Sequence, residues 1–213
     1  MQIGTIGAGQ VARAFARKAT AAGHRVILSS RREPEDLGPL ASTIGPDVSA
    51  AARKDAAACD MVLLAVPWSQ VGDALSGLAD WGGRILIDAT NAFDGEGQTA
   101  PDAEGSSELV AALAPGARVV KALNATFMTN FEGSPIVGSF RRAIFVSGDD
   151  VDAVEHVAGL LEQLGFAPVD LGPLALGGRM QAVGSTLAGH DFFLPWPAPR
   201  SFPAFNGASE RTR

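Results

Sequence analysis

A glycine-rich turn near the start of the chain, between a short apolar strand and an alanine-rich helix, constrains the fold more than any other feature. In IGTIGAGQVARAFA, residues Gly7, Gly9 and Ala12 occupy the three positions of a G-x-G-x-x-G/A pattern. The first glycine permits a tight turn, the second lets backbone approach a pyrophosphate, and the small third residue keeps the helix close to the sheet. The N-terminus of that helix presents free N–H groups to an anion. The pattern therefore predicts a dinucleotide-binding βαβ unit, with a ligand-free tight turn as the alternative.

Apolar segments alternate with helical patterns along the rest of the chain, and this alternation predicts the fold class. We expect strands over residues 2–6, 25–29, 61–66, 84–88, 117–123, 143–147 and 166–169. We expect helices over residues 10–22, 49–58, 67–79, 107–113 and 151–164, and one more within residues 172–189. The polar residues that follow the second strand are expected to form a connection. The prediction is an α/β fold of the Rossmann type, with a doubly wound, mostly parallel sheet and helices on both faces.

Length and charge fit one domain of this kind. The chain has 213 residues, with 23 acidic and 17 basic side chains and a net charge of −6. This acidic balance argues against nucleic acid or an anionic membrane as a partner, so we expect a small molecule. We predict a dinucleotide-binding Rossmann domain over residues 1–190 and a C-terminal arm over residues 191–213, partly disordered or forming an interface. The aromatic and proline-rich start of the arm indicates a contact with its own domain or with a second subunit in a homodimer.

Several kinds of site are excluded by residue usage. Cys59 is the one cysteine, so no internal disulfide can form and an inert core thiol is expected. The three histidines lack metal-ligand spacing, so no metal is predicted. The chain contains no tyrosine, which excludes mechanisms that need a tyrosine proton donor. No apolar run approaches the roughly 18 residues of a membrane span, and the first basic residue is Arg13, so we expect a cytoplasmic protein.

The end of the second predicted strand carries the sequence Ser29, Ser30, Arg31, Arg32. A site selective for NAD usually places Asp or Glu there, on the ribose 2′-hydroxyl. Hydroxyl and guanidinium groups instead suit the 2′-phosphate, a dianion that a carboxylate would repel. The pattern favours NADP(H), and the alternative is a solvated basic turn.

These motifs, in this order, resemble the NADPH-dependent coenzyme F420 reductases and their single-domain relatives. The resemblance rests on the glycine-rich turn, the Ser-Ser-Arg-Arg segment, LLAVPW at residues 63–68, KALNATF at 121–127, SGDD at 147–150 and LGPL at 171–174. It implies hydride exchange between NADPH and a deazaflavin stacked on the nicotinamide, without a dedicated acid-base triad. The chain is also similar to the NADPH-binding domain of membrane ferric reductases. Because the resemblance implies no acid-base triad, no catalytic residue is assigned.

The carboxyl ends of parallel strands form the ligand-binding edge of such a sheet. The turn after the third strand lies at this edge, and the resemblance implies that it contacts the cofactor. The polar residues after the fourth and fifth strands lie at the same edge. Lys121 lies inside a strand and is expected to be a snorkelling or edge residue outside the site. The predicted cofactor-binding residues are Gly7, Ala8, Gly9, Gln10, Val11, Ser29, Ser30, Arg31, Arg32, Ala65, Val66, Pro67, Trp68, Asn91 and Asn124.

The leading hypothesis is an oxidoreductase that transfers a hydride between NADPH and a planar acceptor such as coenzyme F420 or a flavin. Coenzyme F420 has an anionic tail, for which Arg141, Arg142 and Arg179 are the candidate partners. One alternative is a non-catalytic NADP(H) sensor. Another is a truncated relative of the β-hydroxyacid dehydrogenases or imine reductases, although only about 40 residues follow Asp170.

Overall fold

The computed structural model describes residues 1–93 and 105–197. Its strands are β1 (Gln2–Ile6), β2 (Arg25–Ser29), β3 (Val48–Ala50), β4 (Met61–Leu64), β5 (Ile85–Asp88), β6 (Arg118–Ala122), β7 (Ile136–Val137), β8 (Phe140–Gly148), β9 (Ala167–Asp170) and β10 (Phe193–Pro195). Its α-helices are α1 (Gln10–Ala21), α2 (Pro34–Ile44), α3 (Arg53–Ala56), α4 (Val71–Leu75), α5 (Ser106–Leu113), α6 (Met128–Glu132) and α7 (Val151–Gln163).

The strands form one sheet whose larger part is parallel. Six parallel strands lie in the order β3-β2-β1-β4-β5-β6. From β1 the chain continues to β2 and β3 on one side of the sheet and to β4, β5 and β6 on the other. In sheets of this kind, ligands bind in the crevice beside the strand at which the order reverses. β8 extends the sheet antiparallel to β6, and β9 pairs parallel with β8. The expected α/β fold with a mostly parallel sheet is confirmed, with an antiparallel strand at one side.

Apolar clusters on both faces of the sheet hold the helices against it. On helix α1, Ala12, Phe15 and Ala19 are fully buried at helical spacing, which explains why this alanine-rich segment packs closely on β1. The cluster that contains Phe15 also holds the buried residues of α7. A second cluster holds Trp81 and buried residues of β4, β5 and α5. Two separate clusters are what a sheet covered on both faces requires.

The connection expected after β2 instead contains helix α2 and strand β3, so that prediction was wrong. Pro34 occupies the first turn of α2, and Leu37 and Ala41 are its buried positions, four residues apart. So narrow an apolar stripe gives a weak periodic signal, because most of the helix faces solvent. The helix expected over residues 49–58 is reduced to the single turn α3, since β3 takes its first residues.

Two other expected helices are also shorter in the structure. Residues 67–79 hold a 3₁₀ turn, Trp68–Gln70, followed by α4, which ends before Gly77 at φ +67°. Residues 172–189 hold one π-helical turn, Leu174–Gly178, followed by turns. A Cβ on Gly177 would lie 2.7 Å from the Cβ of Ser147, so the backbone is pressed directly onto β8. Tertiary contact rather than helical propensity therefore shapes this segment.

The first residues of the C-terminal arm join the chain's own sheet. β10 pairs antiparallel with the N-terminal half of β8, with Leu194 opposite Arg141. The remainder of the arm, residues 198–213, lies outside the described residues. Among the helices of the described ranges, none is long and apolar enough to cross a membrane.

Candidate functional site

Two clefts open at the carboxyl edge of the parallel strands. The first has a volume of 990 Å³ and is lined by the turns that follow β1, β2 and β4 together with parts of α3 and α4. The second has a volume of 540 Å³ and is lined by the segments that follow β5 and β6, the start of α1 and residues 183–189. The glycine-rich turn contributes to both, because Gly9 lines the first cleft and Gln10 and Val11 line the second.

Gly7 is required by the backbone of this turn. Its φ is +115°, and a Cβ at this position would lie 2.1 Å from the carbonyl oxygen of Ala65. The Gly7 N–H donates to the Ser29 carbonyl at 2.9 Å, and the Thr5 hydroxyl donates to the Gly7 carbonyl at 2.8 Å. The turn is therefore held to β1 and to the neighbouring strand β2.

Gly9 and the helix start that follows it are open to a ligand. Gly9 has φ −76°, and a Cβ there would meet no atom within 4 Å. It caps α1 without a side-chain hydrogen bond, and the first turn of α1 has no acidic residue. The helix dipole and these uncapped N–H groups favour an anion at this end. The geometry fits a pyrophosphate lying over Gly9.

One end of the first cleft is cationic. Ser30, Arg31 and Arg32 line it, and the Ser30 hydroxyl accepts from the Arg32 N–H at 3.0 Å. Both guanidiniums are exposed, and within residues 1–93 and 105–197 neither has a salt-bridge partner. They are positioned to neutralise a phosphate.

Arg53 is a lining residue that the sequence analysis missed. Its guanidinium donates to the carbonyls of Ala74 and Ser76, each at 3.0 Å, which holds it at the wall of the cleft. Asp73 also lines the cleft, so three guanidiniums face one carboxylate. No motif could have identified Arg53, because its place at the cleft depends on α3 packing beside β1.

The predicted residues of the β2 and β4 turns divide between lining and support. Ala65, Val66 and Pro67 line the first cleft, with Ala8 opposite them. Ser29 is fully buried, and its hydroxyl donates to the Thr5 carbonyl at 2.6 Å, so it joins β2 to β1 instead of lining the cleft. Trp68 is half-buried, and it packs on Ala92 and on the apolar cluster that holds Trp81.

The second cleft brings Asn91 and Asn124 together. The side-chain nitrogen of Asn91 donates to the backbone carbonyl of Asn124 at 2.9 Å. The side-chain nitrogen of Asn124 donates in turn to the backbone carbonyl of Gln181 at 2.7 Å. Asn124 is 7% exposed, yet its side-chain oxygen has no partner among the described residues. Leu123, directly before it, has φ +67°, which is strained for a residue other than glycine. A buried, unpaired acceptor at a cleft wall is suited to an N–H donor on a ligand.

A buried ion pair lies beneath this edge, and the expectation that Lys121 is an edge residue was wrong. Lys121 is 1% exposed, and its Nζ lies 2.9 Å from Oδ2 of Asp88 and donates to the Thr90 carbonyl at 2.7 Å. Asp88 also accepts from the hydroxyl of Thr90 at 2.6 Å. These contacts fix the chain between β5 and Asn91. Sequence analysis missed the pair because its members are 33 residues apart.

The remaining polar candidates lie outside the clefts. Arg142 pairs with Asp191 at 2.7 Å, Arg179 lies 3.6 Å from Glu108, and Arg141 stacks over Trp196, so none lines the second cleft.

Burial raises the pKa of the Cys59 thiol, as expected for an inert core cysteine. Among residues 1–93 and 105–197, no three His, Cys, Asp or Glu side chains are grouped to hold a metal ion.

Comparison with known proteins places this geometry among nucleotide-dependent reductases. The family model described as "NADP oxidoreductase coenzyme F420-dependent" matches residues 2–92, which include the first cleft. A hypothetical protein of Sinorhizobium meliloti has 39% identical residues and a TM-score of 0.84, with 90% of this chain and 95% of that chain covered. A protein described as an F420-dependent NADP reductase, from Arthrobacter sp. FB24, has 27% identity and a TM-score of 0.68, with 89% and 97% covered.

The chain is also similar to metalloreductases. The metalloreductase STEAP3 of Rattus norvegicus is 26% identical over 183 residues, which cover 85% of this chain and 36% of that protein. This chain therefore spans about a third of the length of the curated relatives that it matches.

Proposed function

Since the chain belongs to the family of NADP oxidoreductases described as coenzyme F420-dependent, we propose that this NADP-dependent oxidoreductase transfers a hydride between NADPH and a planar acceptor. The acceptor is a deazaflavin such as coenzyme F420, or a flavin. One observation carries the proposal: the glycine-rich turn stands between a cleft that presents three arginines and a second cleft whose described lining residues carry no charge. A dinucleotide that crosses this turn has its 2′-phosphate in the first cleft and its nicotinamide in the second.

Three anchors orient the cofactor in this proposal. Arg31 and Arg32 bind the 2′-phosphate, and the N–H groups at the start of α1 bind the pyrophosphate. The unpaired side-chain oxygen of Asn124 accepts an N–H of the nicotinamide carboxamide. Because Asn91 and Gln181 hold Asn124 in place, this last contact fixes the rotation of the ring.

The second cleft supplies position rather than proton transfer. Among residues 1–93 and 105–197, none of those that line it is Asp, Glu, His, Lys or Arg, and Phe93 and Phe127 are exposed there. Hydride transfer between two stacked rings needs mainly close, face-to-face placement. The hydride carries two electrons from the nicotinamide to the acceptor ring, and solvent supplies the proton that completes its reduction.

The chemistry is tested by mixing the purified protein with NADPH and a panel of deazaflavin, flavin, quinone and ferric-chelate acceptors while following NADPH absorbance. Oxidation that depends on a planar acceptor supports the proposal. If only the ferric chelates were reduced, the acceptor would be a metal ion and not a planar ring. Among the lining residues that the structure describes in the second cleft none is titratable, which favours one second candidate, an NADP(H) sensor. Tight NADPH binding without turnover of any acceptor would establish that alternative.

Cofactor choice is tested by the variant Arg31→Ala. We expect wild-type protein to bind NADPH more tightly than NADH, and the variant to lose about tenfold or more of that preference, because a charge-assisted hydrogen bond contributes roughly 1.5–3 kcal/mol. Isothermal titration with both cofactors measures the ratio. Arg25→Ala is the matched control, since Arg25 is exposed at the opposite end of the same strand. Equal wild-type dissociation constants for NADPH and NADH would refute the assignment.

A further inference from the structure

One wall of the first cleft carries a carboxylate. Asp73 of α4 lines the cleft together with three arginines. A carboxylate weakens the binding of a dinucleotide phosphate, because it repels the phosphate groups. Within residues 1–93 and 105–197, Asp73 forms no salt bridge, so it does not serve to neutralise one of the arginines. A group on the ligand other than a phosphate would account for it.

Hydrogen bonds fix the backbone from which this carboxylate projects. The Asp73 carbonyl oxygen accepts from the guanidinium of Arg53 and from the hydroxyl of Ser76, the latter at 3.0 Å. The same guanidinium donates to the carbonyls of Ala74 and Ser76, so the end of α4 is tied to the start of α3. The Asp73 side chain itself is exposed. A side chain on a fixed backbone loses less conformational freedom when it binds a ligand.

The proposed anchors of the cofactor leave this wall to its adenine base. In our proposal the 2′-phosphate lies at Arg31 and Arg32, and the pyrophosphate lies over Gly9. Both groups are attached to the ribose that carries the adenine, and the base is bonded to the carbon beside the 2′-phosphate. The base therefore lies in the first cleft as well. The polar side chains that the segment after β4 offers it are Gln70 and Asp73, three residues apart.

These two side chains complement one edge of adenine. The exocyclic amino group of the base donates hydrogen bonds, and the ring nitrogen beside it accepts one. A carboxylate only accepts, whereas a glutamine amide both donates and accepts. Asp73 therefore suits the amino group, and Gln70 suits the ring nitrogen. Only the carboxylate discriminates, since the amide can turn over to match a different base.

We infer that Asp73 selects adenine as the base of the cofactor by accepting a hydrogen bond from its exocyclic amino group. This selection rests on the proposed binding of NADP(H) in the first cleft, and it names a specificity-determining residue of that cleft. The gain from the amino group offsets the repulsion between the carboxylate and the phosphates of the same ligand.

NADPH and its hypoxanthine analogue, deamino-NADPH, are the sharpest pair of probes. They carry the same phosphates and the same nicotinamide, but a carbonyl oxygen replaces the amino group of the base in the analogue. We expect the wild-type protein to bind NADPH about tenfold or more tightly than the analogue, because a charge-assisted hydrogen bond is lost and two acceptor oxygens face each other. Calorimetric titration measures both dissociation constants. Equal values would overturn the inference.

The variant Asp73→Asn separates base recognition from simple repulsion. Its amide can donate to the carbonyl of the analogue, so we expect the preference for NADPH to fall about tenfold. The loss of a negative charge should favour both ligands alike and cancel in their ratio. Asp55→Asn is the matched control, because Asp55 of α3 is exposed and lies outside the lining of the cleft. It should keep the wild-type ratio. If Asp73→Asn also keeps that ratio, Asp73 does not contact the base and the inference fails.

The failure of this inference is distinct from the failure of the proposed hydride transfer. If no acceptor is reduced, yet Asp73→Asn lowers the preference for NADPH over its analogue, the oxidoreductase proposal is refuted and base selection by Asp73 stands. If a planar acceptor is reduced and the wild-type protein binds both dinucleotides equally well, hydride transfer stands and base selection is refuted.

Discussion

At the scale of single residues, the two glycines of the turn after β1 have different physical roles. Gly7 has a positive φ and no room for a Cβ, so its lack of a side chain serves the fold. Gly9 has an ordinary φ and open space beside it, so the folded chain would tolerate a side chain there. The lack of a side chain at Gly9 is therefore explained by the close approach of a ligand.

This difference predicts that Gly9→Val abolishes NADPH binding and leaves stability nearly unchanged. The valine side chain would project into the space above the turn, where the pyrophosphate lies in our proposal. Calorimetric titration measures the affinity, and thermal unfolding measures the stability. Gly7→Ala is the control with the opposite profile, because its Cβ clashes with Ala65 and should lower the unfolding temperature. Retained affinity in Gly9→Val would show that the turn is only structural.

The buried ion pair allows a prediction about stability. We expect Lys121→Met to destabilise the protein by about 3–5 kcal/mol, since it leaves the Asp88 carboxylate buried without its cation. The double variant Lys121→Met with Asp88→Asn removes both charges and should recover part of that loss. Urea unfolding of the two variants provides the comparison. A single variant as stable as wild type would mean that the Asp88 charge is compensated by its hydroxyl donors alone.

At the scale of elements, the start of α1 is adapted to a ligand rather than to the isolated helix. A stable surface helix usually has a polar side-chain cap and acidic residues in its first turn. Helix α1 has neither, although it is the helix that carries Phe15 into the core. Its positive end is therefore available to an anion from outside the chain.

Gln10→Glu tests this trade between helix stability and binding. We expect the ligand-free protein to gain about 0.3–1 kcal/mol, because a negative side chain at a helix N-terminus interacts favourably with the dipole. The same charge should weaken NADPH binding several-fold by repelling the phosphates. Unfolding and titration are measured on one preparation, with Gln10→Lys expected to change both quantities in the opposite direction. Tighter NADPH binding in Gln10→Glu would show that the phosphates lie elsewhere.

At the scale of the whole molecule, the antiparallel side of the sheet carries an apolar surface. Ile136, Val137 and Phe140, from the β7–β8 hairpin, are 48%, 56% and 44% exposed. Phe192, at the start of the arm, is 39% exposed nearby, where its carbonyl accepts from Ala143 in β8. Clustered exposed apolar side chains of this kind commonly mark an interface.

We propose a homodimer that covers this surface. Light scattering should give a dimer for the wild type and a monomer for Val137→Glu, because a carboxylate cannot be buried there without a partner. Val151→Glu introduces the same side chain at an exposed position on α7 and should leave the dimer intact. A monomeric wild-type protein would contradict the proposal, and the surface would then need another explanation.

The accuracy of the sequence analysis varied along the molecule. The β1-turn-α1-β2 unit was predicted within a residue, and most of the residues predicted to bind the cofactor line one of the two clefts. Helix α2 was missed because only Leu37 and Ala41 mark its buried side. Ser29 was placed in the site from its position after β2, but its side chain points into the sheet, toward Thr5.

The sequence by itself determined the features whose causes are local: the strand-turn-helix unit, the glycine that its backbone requires, and the basic turn beside it. Only the tertiary structure decided which distant residues complete the two clefts. Arg53 reaches the first cleft, and Lys121 finds Asp88, because the parallel strands align segments that are far apart in the chain. Pairing of this kind depends on strand order and register, which no local pattern encodes. The second cleft arises in the same way, because its described lining residues come from segments that meet only in the folded sheet.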